Sequence, residues 1–299
     1  MNTPTGQNNR LGELIINGRP FVWGQRTYIM GILNITFDSF SGDGLGLDLD
    51  KTVAQALEFV KAGADILDIG GESTNPYHSQ LLSAEEELQR VLPVLKAVSA
   101  MTDIPLSIDT YKPEVARVAL ENGAHIINDI HGLEDPAMLV LAAETNVPVI
   151  AMHMRGTPQT MQKMTDYNGD VKEAVLHYFR QRLEVMTQAS LRRENIIFDP
   201  GFGFAKTYEQ NLELLGGLGI FRELGQPLLV GVSRKGFIGR AMAGPGQEPY
   251  PPPARTYGTA AAITIAITQG ADIVRVHDVD EMVSVVRLAD ATIRRSAEL

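Results

Sequence analysis

Eight times along this chain a short apolar run ends in polar residues. The run at 28–33 opens into Asn34-Ile35-Thr36-Phe37-Asp38-Ser39-Phe40-Ser41, and the run at 66–69 into Gly70-Gly71-Glu72-Ser73-Thr74. Those at 105–108, 126–127 and 149–152 lead into Asp109-Thr110, Asn128-Asp129 and His153-Met154. Those at 196–198, 228–232 and 273–274 lead into Asp199-Pro200-Gly201, Ser233-Arg234-Lys235 and Arg275-Val276-His277. Helical patterns separate the runs. A strand–helix alternation repeated this often predicts an α/β fold, a parallel sheet closed into a (β/α)8 TIM barrel. The carboxyl ends of barrel strands share one mouth, so the eight polar tips are expected to converge there. An open doubly wound sheet is the rival fold, but no G-x-G-x-x-G follows the first strand and no Walker A loop occurs.

Residues 1–10 read as a disordered tail and 11–299 as a single barrel domain. Leu14-Ile15-Ile16, Asn17-Gly18 and Phe21-Val22-Trp23 predict a β-hairpin, placed to plug the amino-terminal end of the barrel. A helix is expected from about Asp50, with Val53, Leu57, Val60 and Ala64 on one face. Another starts at Ser83, where Glu86 completes a capping box, and carries Pro93 as a candidate kink. Further helices are expected over 113–121, 136–145, 171–188, 209–215, 256–269 and 279–297. Two loops stand out. Residues 244–254 are rich in Pro and Gly, which suits a surface connection or, less simply, a Pro-rich ligand for another domain. Residues 154–169 are long for a connection at a barrel mouth, as a lid or an inert insertion would be.

A formal net charge of −10 argues against binding nucleic acid or an anionic membrane, both of which need a basic footprint. A small anionic ligand needs only a local cluster such as Arg234-Lys235 or Arg275. With no cysteine, the chain has no disulfide, thiolate nucleophile or Cys-ligated metal. No run reaches the ~20 apolar residues of a membrane span and the start lacks an apolar signal core, so a cytoplasmic protein is expected.

Asp109, Asn128 and Asp199 each end a different strand. Acceptors and an amide on a barrel floor suit a flat heterocycle with several N–H donors; the alternative is that they cap helix N-termini. Arg275 and His277 alternate at the end of the last strand and so face one side, which matches a diphosphate or carboxylate; a rim ion pair with Asp278 or Asp280 is the alternative. Ser233-Arg234-Lys235 opens the seventh βα turn, where barrels commonly hold phosphate. Gly231-Val232-Ser233-Arg234-Lys235 is no nucleophile elbow, which disfavours a serine hydrolase. Asn34 is positioned to give one oxygen to Mg²⁺, which takes few protein ligands. The six histidines lack zinc spacing, and His125, His131 and His153 read as structural or supporting residues.

Taken together, Met30–Asn34, Asp38-Ser39-Phe40-Ser41, Asp68-Ile69-Gly70-Gly71-Glu72-Ser73-Thr74, Ser107-Ile108-Asp109-Thr110 and Ile127-Asn128-Asp129-Ile130 carry a resemblance. Met152-His153-Met154 with Gly156-Thr157-Pro158, Asp199-Pro200-Gly201-Phe202-Gly203-Phe204, Gly231-Val232-Ser233-Arg234-Lys235 and Val274-Arg275-Val276-His277-Asp278 complete it. From about residue 28 to 295 the chain resembles the dihydropteroate synthase family of folate biosynthesis. That resemblance implies a transferase that joins 4-aminobenzoate to 6-hydroxymethyl-7,8-dihydropterin diphosphate and releases diphosphate. It further implies that Asp109, Asn128, Asp199 and Lys235 hold the pterin. Arg275, His277, Asn34 and Thr74 would hold the diphosphate, with Mg²⁺ near Asn34. Ser233 and Phe204 would border the aminobenzoate, and Lys235, Arg275 and His277 would carry the catalysis. A homodimer is implied too, with the apolar stretches 260–267 and 283–288 as a face unless core packing accounts for them. Two positions depart from the family pattern. Phe37 stands where Pro is usual, and Asn75 stands where an Arg follows Ser-Thr; both lie on the second-substrate side. Two other classes therefore stay open, a pterin-binding paralogue using another amine or none, and a folate-dependent methyltransferase barrel. The latter has no diphosphate to hold, so the paired Lys235 and Arg275 clusters count against it.

Overall fold

The structure, a computed structural model, describes residues 11–35, 49–73 and 81–294. It opens with the expected hairpin, β1 (Glu13–Ile16) and β2 (Arg19–Val22), paired in the register Leu14 to Phe21. Its turn places Asn17 at φ 48° and Gly18 at φ 73°, the double left-handed geometry that an Asn-Gly pair accepts at little cost. The hairpin closes the amino-terminal end of the barrel. Leu14, Ile16, Phe21 and Trp23 pack with Tyr28 and Met30 onto Ile66, Ile126, Ile150, Ile197, Leu229 and Ile273, which come from the strands. The aromatic rings meet tilted or edge-on, at 4.5 Å for Phe21–Tyr28 and 5.5 Å for Trp23–Tyr28.

The barrel strands are β3 (Tyr28–Asn34), β4 (Ile66–Gly70), β5 (Leu106–Asp109), β6 (Ile126–Asp129), β7 (Val149–Met152), β8 (Ile196–Asp199), β9 (Leu229–Val230) and β10 (Ile273–Val276). All pair in parallel, in the order β8-β7-β6-β5-β4-β3-β10-β9. A bridge between Phe198 and Leu228, with the Phe198 N–H on the Pro227 carbonyl at 3.0 Å, joins the two ends into a barrel. The helices around it are α1 (Leu49–Ala62), α2 (Ala84–Ser99), α3 (Pro113–Glu121), α4 (Pro136–Thr145), α5 (Val171–Gln188), α6 (Tyr208–Gly216), α7 (Gly236–Met242), α8 (Thr256–Thr268) and α9 (Val279–Ile293). Among the described residues, no helix is long and apolar enough to cross a membrane.

Three details differ from the expectations. The run 228–232 is strand only over Leu229–Val230, because Arg234 turns at φ 57° and the Lys235 N–H bonds back to the Val232 carbonyl at 3.1 Å. That turn leads into α7, a helix too short to leave a periodic signature. On α1 the deeply buried positions are Thr52 and Ala56, while Val53, Leu57 and Val60 are half-buried and Ala64 lies beyond the helix end. Small residues let the helix axis approach the barrel, and the larger ones flank the contact. The capping box at Ser83 and Glu86 is formed, and α2 runs on through Pro93.

Close approach also fixes Gly31. A Cβ there would stand 2.8 Å from Phe59 Cδ2 and 3.1 Å from Val279 Cγ2. Gly31→Ala is expected to destabilise the fold by about 1–3 kcal/mol through overpacking, read as a lower denaturant midpoint at unchanged slope.

Candidate active site

Most of the polar tips converge. Those that follow β3, β4, β5, β9 and β10, with the loop beyond β8, border a cavity of about 680 Å³ at the carboxyl ends of the strands, lined among others by Asn34, Glu72, Asp109, Phe204, Ser233, Lys235, Arg275 and His277. Arg275 reaches from β10 across the floor. Its Nε donates to Asp68 Oδ2 and its Nη2 to Asp109 Oδ2, each at 2.6 Å. Asn128 Nδ2 donates to the same Asp68 oxygen at 3.0 Å. The second Asp68 oxygen, Oδ1, is buried with no hydrogen-bond partner among the described residues, an acceptor facing no donor. Burial pushes the Asp109 carboxyl up; Arg275 opposes this and Asp68 adds to it.

None of the three strand-end residues caps a helix. The N-cap of α3 is Lys112, that of α4 is Asp135 and that of α6 is Thr207. Asp199 accepts the Gly201 N–H at 2.8 Å, and burial raises its pKa. Its neighbour Lys235 lies 4.3 Å from the centre of the Phe204 ring. Burial, reinforced by Arg275, lowers the Lys235 pKa to about 8 against the pull of Asp199 and Asp109. Asp278 pairs with Arg234, with Nε to Oδ2 at 3.0 Å, and not with Arg275. The rim-pair alternative therefore describes Arg234, and Arg275 belongs to the floor.

His277 Nδ1 stands 3.0 Å from Ser233 Oγ, which also accepts the His277 backbone N–H at 3.2 Å. Burial and the nearby Arg275 and Arg234 push the imidazole down to about 3. His277 is thus neutral at working pH. Its ring resonances in the ligand-free protein are expected to stay flat between pH 5 and 8, and a titration near 6.5 would contradict the geometry.

Asn34 ends β3 with its side chain exposed at the cavity edge. Thr74, Phe37 and Asn75 lie outside the described residues. Two site residues carried no role in the sequence reading. Asp68 had a signal, a lone carboxylate inside an otherwise apolar strand. Lys206 had none: its Nζ reaches His153 Nδ1 at 3.0 Å and the Gly201 and Phe204 carbonyls at 2.9 and 3.0 Å. Burial lowers the Lys206 pKa to about 7, and burial and Lys206 keep His153 neutral. His153 therefore supports the 201–204 loop. His125 Nδ1 accepts the Leu106 N–H at 3.2 Å and His131 packs on Tyr111.

The loop 154–169 is a wall of the cavity. Met161 packs with Met152, Met154 and Phe204, while Tyr167 donates to the Ala205 carbonyl at 2.9 Å. The Pro-rich loop 244–254 is a largely exposed surface connection, held by Arg255 Nε on the Tyr250 carbonyl at 2.6 Å.

A barrel whose mouth combines a carboxylate and amide floor with a lysine, an arginine and a neutral imidazole defines a class, the enzymes that bind a flat, donor-rich heterocycle with an anionic arm. The profile of one such family, described as pterin binding enzyme, matches residues 30–277, and the chain belongs to that family. A dihydropteroate synthase from Synechocystis is 48% identical over 272 residues, covering 91% of this chain and 92% of the relative. A solved dihydropteroate synthase from Xanthomonas albilineans, holding 4-aminobenzoic acid, superposes with a TM-score of 0.85 at 39% identity. That match covers 94% of this chain and 97% of the other. The same organism's enzyme in complex with 7,8-dihydropteroate gives a TM-score of 0.82 at 38% identity, over 94% and 98% of the two chains.

Proposed function

We infer that this chain is a transferase that condenses 6-hydroxymethyl-7,8-dihydropterin diphosphate with 4-aminobenzoate, giving 7,8-dihydropteroate and diphosphate. The observation that carries this reading is the Arg275 bridge between Asp68 and Asp109 beneath a mouth lined by Lys235 and His277. Similar structures solved with 4-aminobenzoic acid and with 7,8-dihydropteroate support this reading.

The pterin edge carries adjacent N–H donors, which Asp199 and the cavity-lining Asp109 are suited to accept, while Asn128 and Lys235 supply donors. In the reaction the methylene C–O bond breaks and its electron pair leaves with the diphosphate. The amine nitrogen forms the new C–N bond and then loses a proton to solvent. Positive charge develops on the pterin methylene, and the carboxylates beneath the ring stabilise it. Negative charge develops on the leaving oxygen, where Arg275 and Lys235 lie ready. If the Ser233 hydroxyl donates a hydrogen bond to His277 Nδ1, the ring proton sits on Nε2, a neutral donor for a phosphate oxygen. Phe204 and Ser233 border the incoming aromatic amine.

Mg²⁺ belongs to the proposal. No group of three acidic or histidine side chains among the described residues could hold a metal. The fit is to an ion carried by diphosphate and water, with the Asn34 amide oxygen as its protein ligand. Bound there, it would neutralise charge on the leaving diphosphate.

We also propose a homodimer through α8 and α9, where Tyr257, Ile265 and Leu288 are exposed. Light scattering at micromolar concentration is expected to give twice the chain mass; a monomer would refute the dimer. A cytoplasmic setting is part of the proposal and accords with a cysteine-free chain. The reaction itself is tested by complementation. Expression is expected to restore growth, without added folate end products, to a bacterium deleted for its own dihydropteroate synthase. Soluble, folded protein that fails to do so would count against it.

A further inference from the structure

One buried amine has no part in the chemistry above. Lys206 is only 4% exposed. Among the described residues no carboxylate pairs with its Nζ, which is held by His153 Nδ1 at 3.0 Å and by the Gly201 and Phe204 carbonyls at 2.9 and 3.0 Å. With His153 neutral and its proton on Nε2, an ammonium here finds one acceptor for each of its three N–H donors, and none is left for a ligand. Burial disfavours the charge, and the nearby Lys235 and Arg155 add to that. If packing were all that this position required, an apolar side chain would supply it at lower cost.

The two carbonyls belong to the turn that follows β8, whose backbone is costly as well. Gly201, Gly203 and Ala205 stand at φ 69°, 79° and 49°, alternate left-handed residues of which the third carries a Cβ. A Cβ on Gly201 would run into the His153 carbonyl oxygen, so the turn starts pressed against the end of β7. Asn211 Oδ1 accepts the Gly203 N–H at 2.7 Å, and the Tyr167 hydroxyl donates to the Ala205 carbonyl at 2.9 Å. Between these anchors, Lys206 Nζ draws the carbonyls of residues 201 and 204 to one point.

The side chain held in place by all this is Phe204. Its ring borders the cavity and lies 4.3 Å from Lys235 Nζ. Gly203 rests on the same lysine, and a Cβ there would stand 3.3 Å from Lys235 Cδ. The turn therefore covers one side of Lys235 along its length. On the functional reading above, we propose that Lys206 is a positioning residue that acts through Phe204, holding the 201–205 turn so that the ring keeps water from one side of the Lys235 ammonium.

The test reads Lys235 directly, from the titration of its Cε resonance in lysine-labelled, ligand-free protein, together with kcat/KM for the dihydropterin diphosphate at saturating 4-aminobenzoate. Displacing the ring admits water and removes a face that attracts the charge, and for a buried lysine the first effect is the larger. Lys206→Met is therefore expected to raise the Lys235 titration by about one pH unit and to lower kcat/KM at pH 7 about tenfold. Phe204→Leu is expected to produce a similar upward shift by itself. Adding Lys206→Met to Phe204→Leu is then expected to change the Lys235 acid constant less than about twofold. Tyr167→Phe frees the Ala205 carbonyl and leaves Lys206 in place; it is expected to shift the titration upward by about a third of a unit, and it serves if Lys206→Met does not fold. A Lys235 titration that stays at its wild-type position in the folded variants overturns the proposal, because it marks a merely structural clamp. A shift that persists undiminished in the Phe204→Leu background also overturns it, because that marks direct repulsion between two ammonium groups. Wild-type protein that forms no dihydropteroate overturns the functional reading, while the Lys235 titration still decides whether Lys206 acts through Phe204.

Discussion

Replacing Arg275 with methionine is expected to lower kcat/KM about thousandfold. The guanidinium is shared between Asp68 and Asp109, both at 2.6 Å, and burial alone would disfavour its charge; the two carboxylates more than offset this and raise its pKa. Removing it leaves two carboxylates close together in a buried floor, and one is then expected to take up a proton. Breaking a buried pair in this way costs about 3–5 kcal/mol, and losing an electrostatic donor aimed at developing charge costs a similar amount in the barrier. Arg275→Lys is expected to recover little, because an ammonium cannot donate in a fixed planar fork to two separate carboxylates. Steady-state kinetics with saturating amine checks this, and a loss under about tenfold in either variant would show that the bridge is not the centre of the site.

Lys235 carries the second large effect. Its pKa is lowered to about 8, so the ammonium is present below that pH and is lost as the pH rises through it. The profile of kcat/KM for the pterin diphosphate is therefore expected to fall above about pH 8. In the enzyme–substrate complex the limb moves upward, because a bound diphosphate favours the charged form. Lys235→Arg keeps the charge at every accessible pH and is expected to abolish the limb, while Lys235→Met lowers kcat/KM about hundredfold throughout. A limb that survives Lys235→Arg would assign it to another group, of which Lys206 is the nearest candidate.

The barrel was legible because buried parallel strands must be apolar and their open ends must not be, so each strand marks its own carboxyl end. Asp109, Asn128, Asp199, Ser233, Lys235, Arg275 and His277 all stand at such ends, and they meet. What strand ends cannot reveal is partnership. That Asp278 would take Arg234 and leave Arg275 to the floor depends on the left-handed turn at Arg234. Lys206 escaped notice because its role depends on two carbonyls and an imidazole brought together only by the folded 201–204 loop. The short helix α7 was missed for a related reason, since seven residues give too few turns to show a period. The α1 face was misjudged because hydrophobicity marked its larger residues, whereas the closest contact belongs to Thr52 and Ala56.

The most direct test of the whole account is diphosphate release from the dihydropterin diphosphate in the presence of Mg²⁺, followed with and without 4-aminobenzoate. The account predicts release that requires the amine, with one dihydropteroate formed for each diphosphate. Tight pterin binding with no amine-dependent release, or release to water alone, would contradict it.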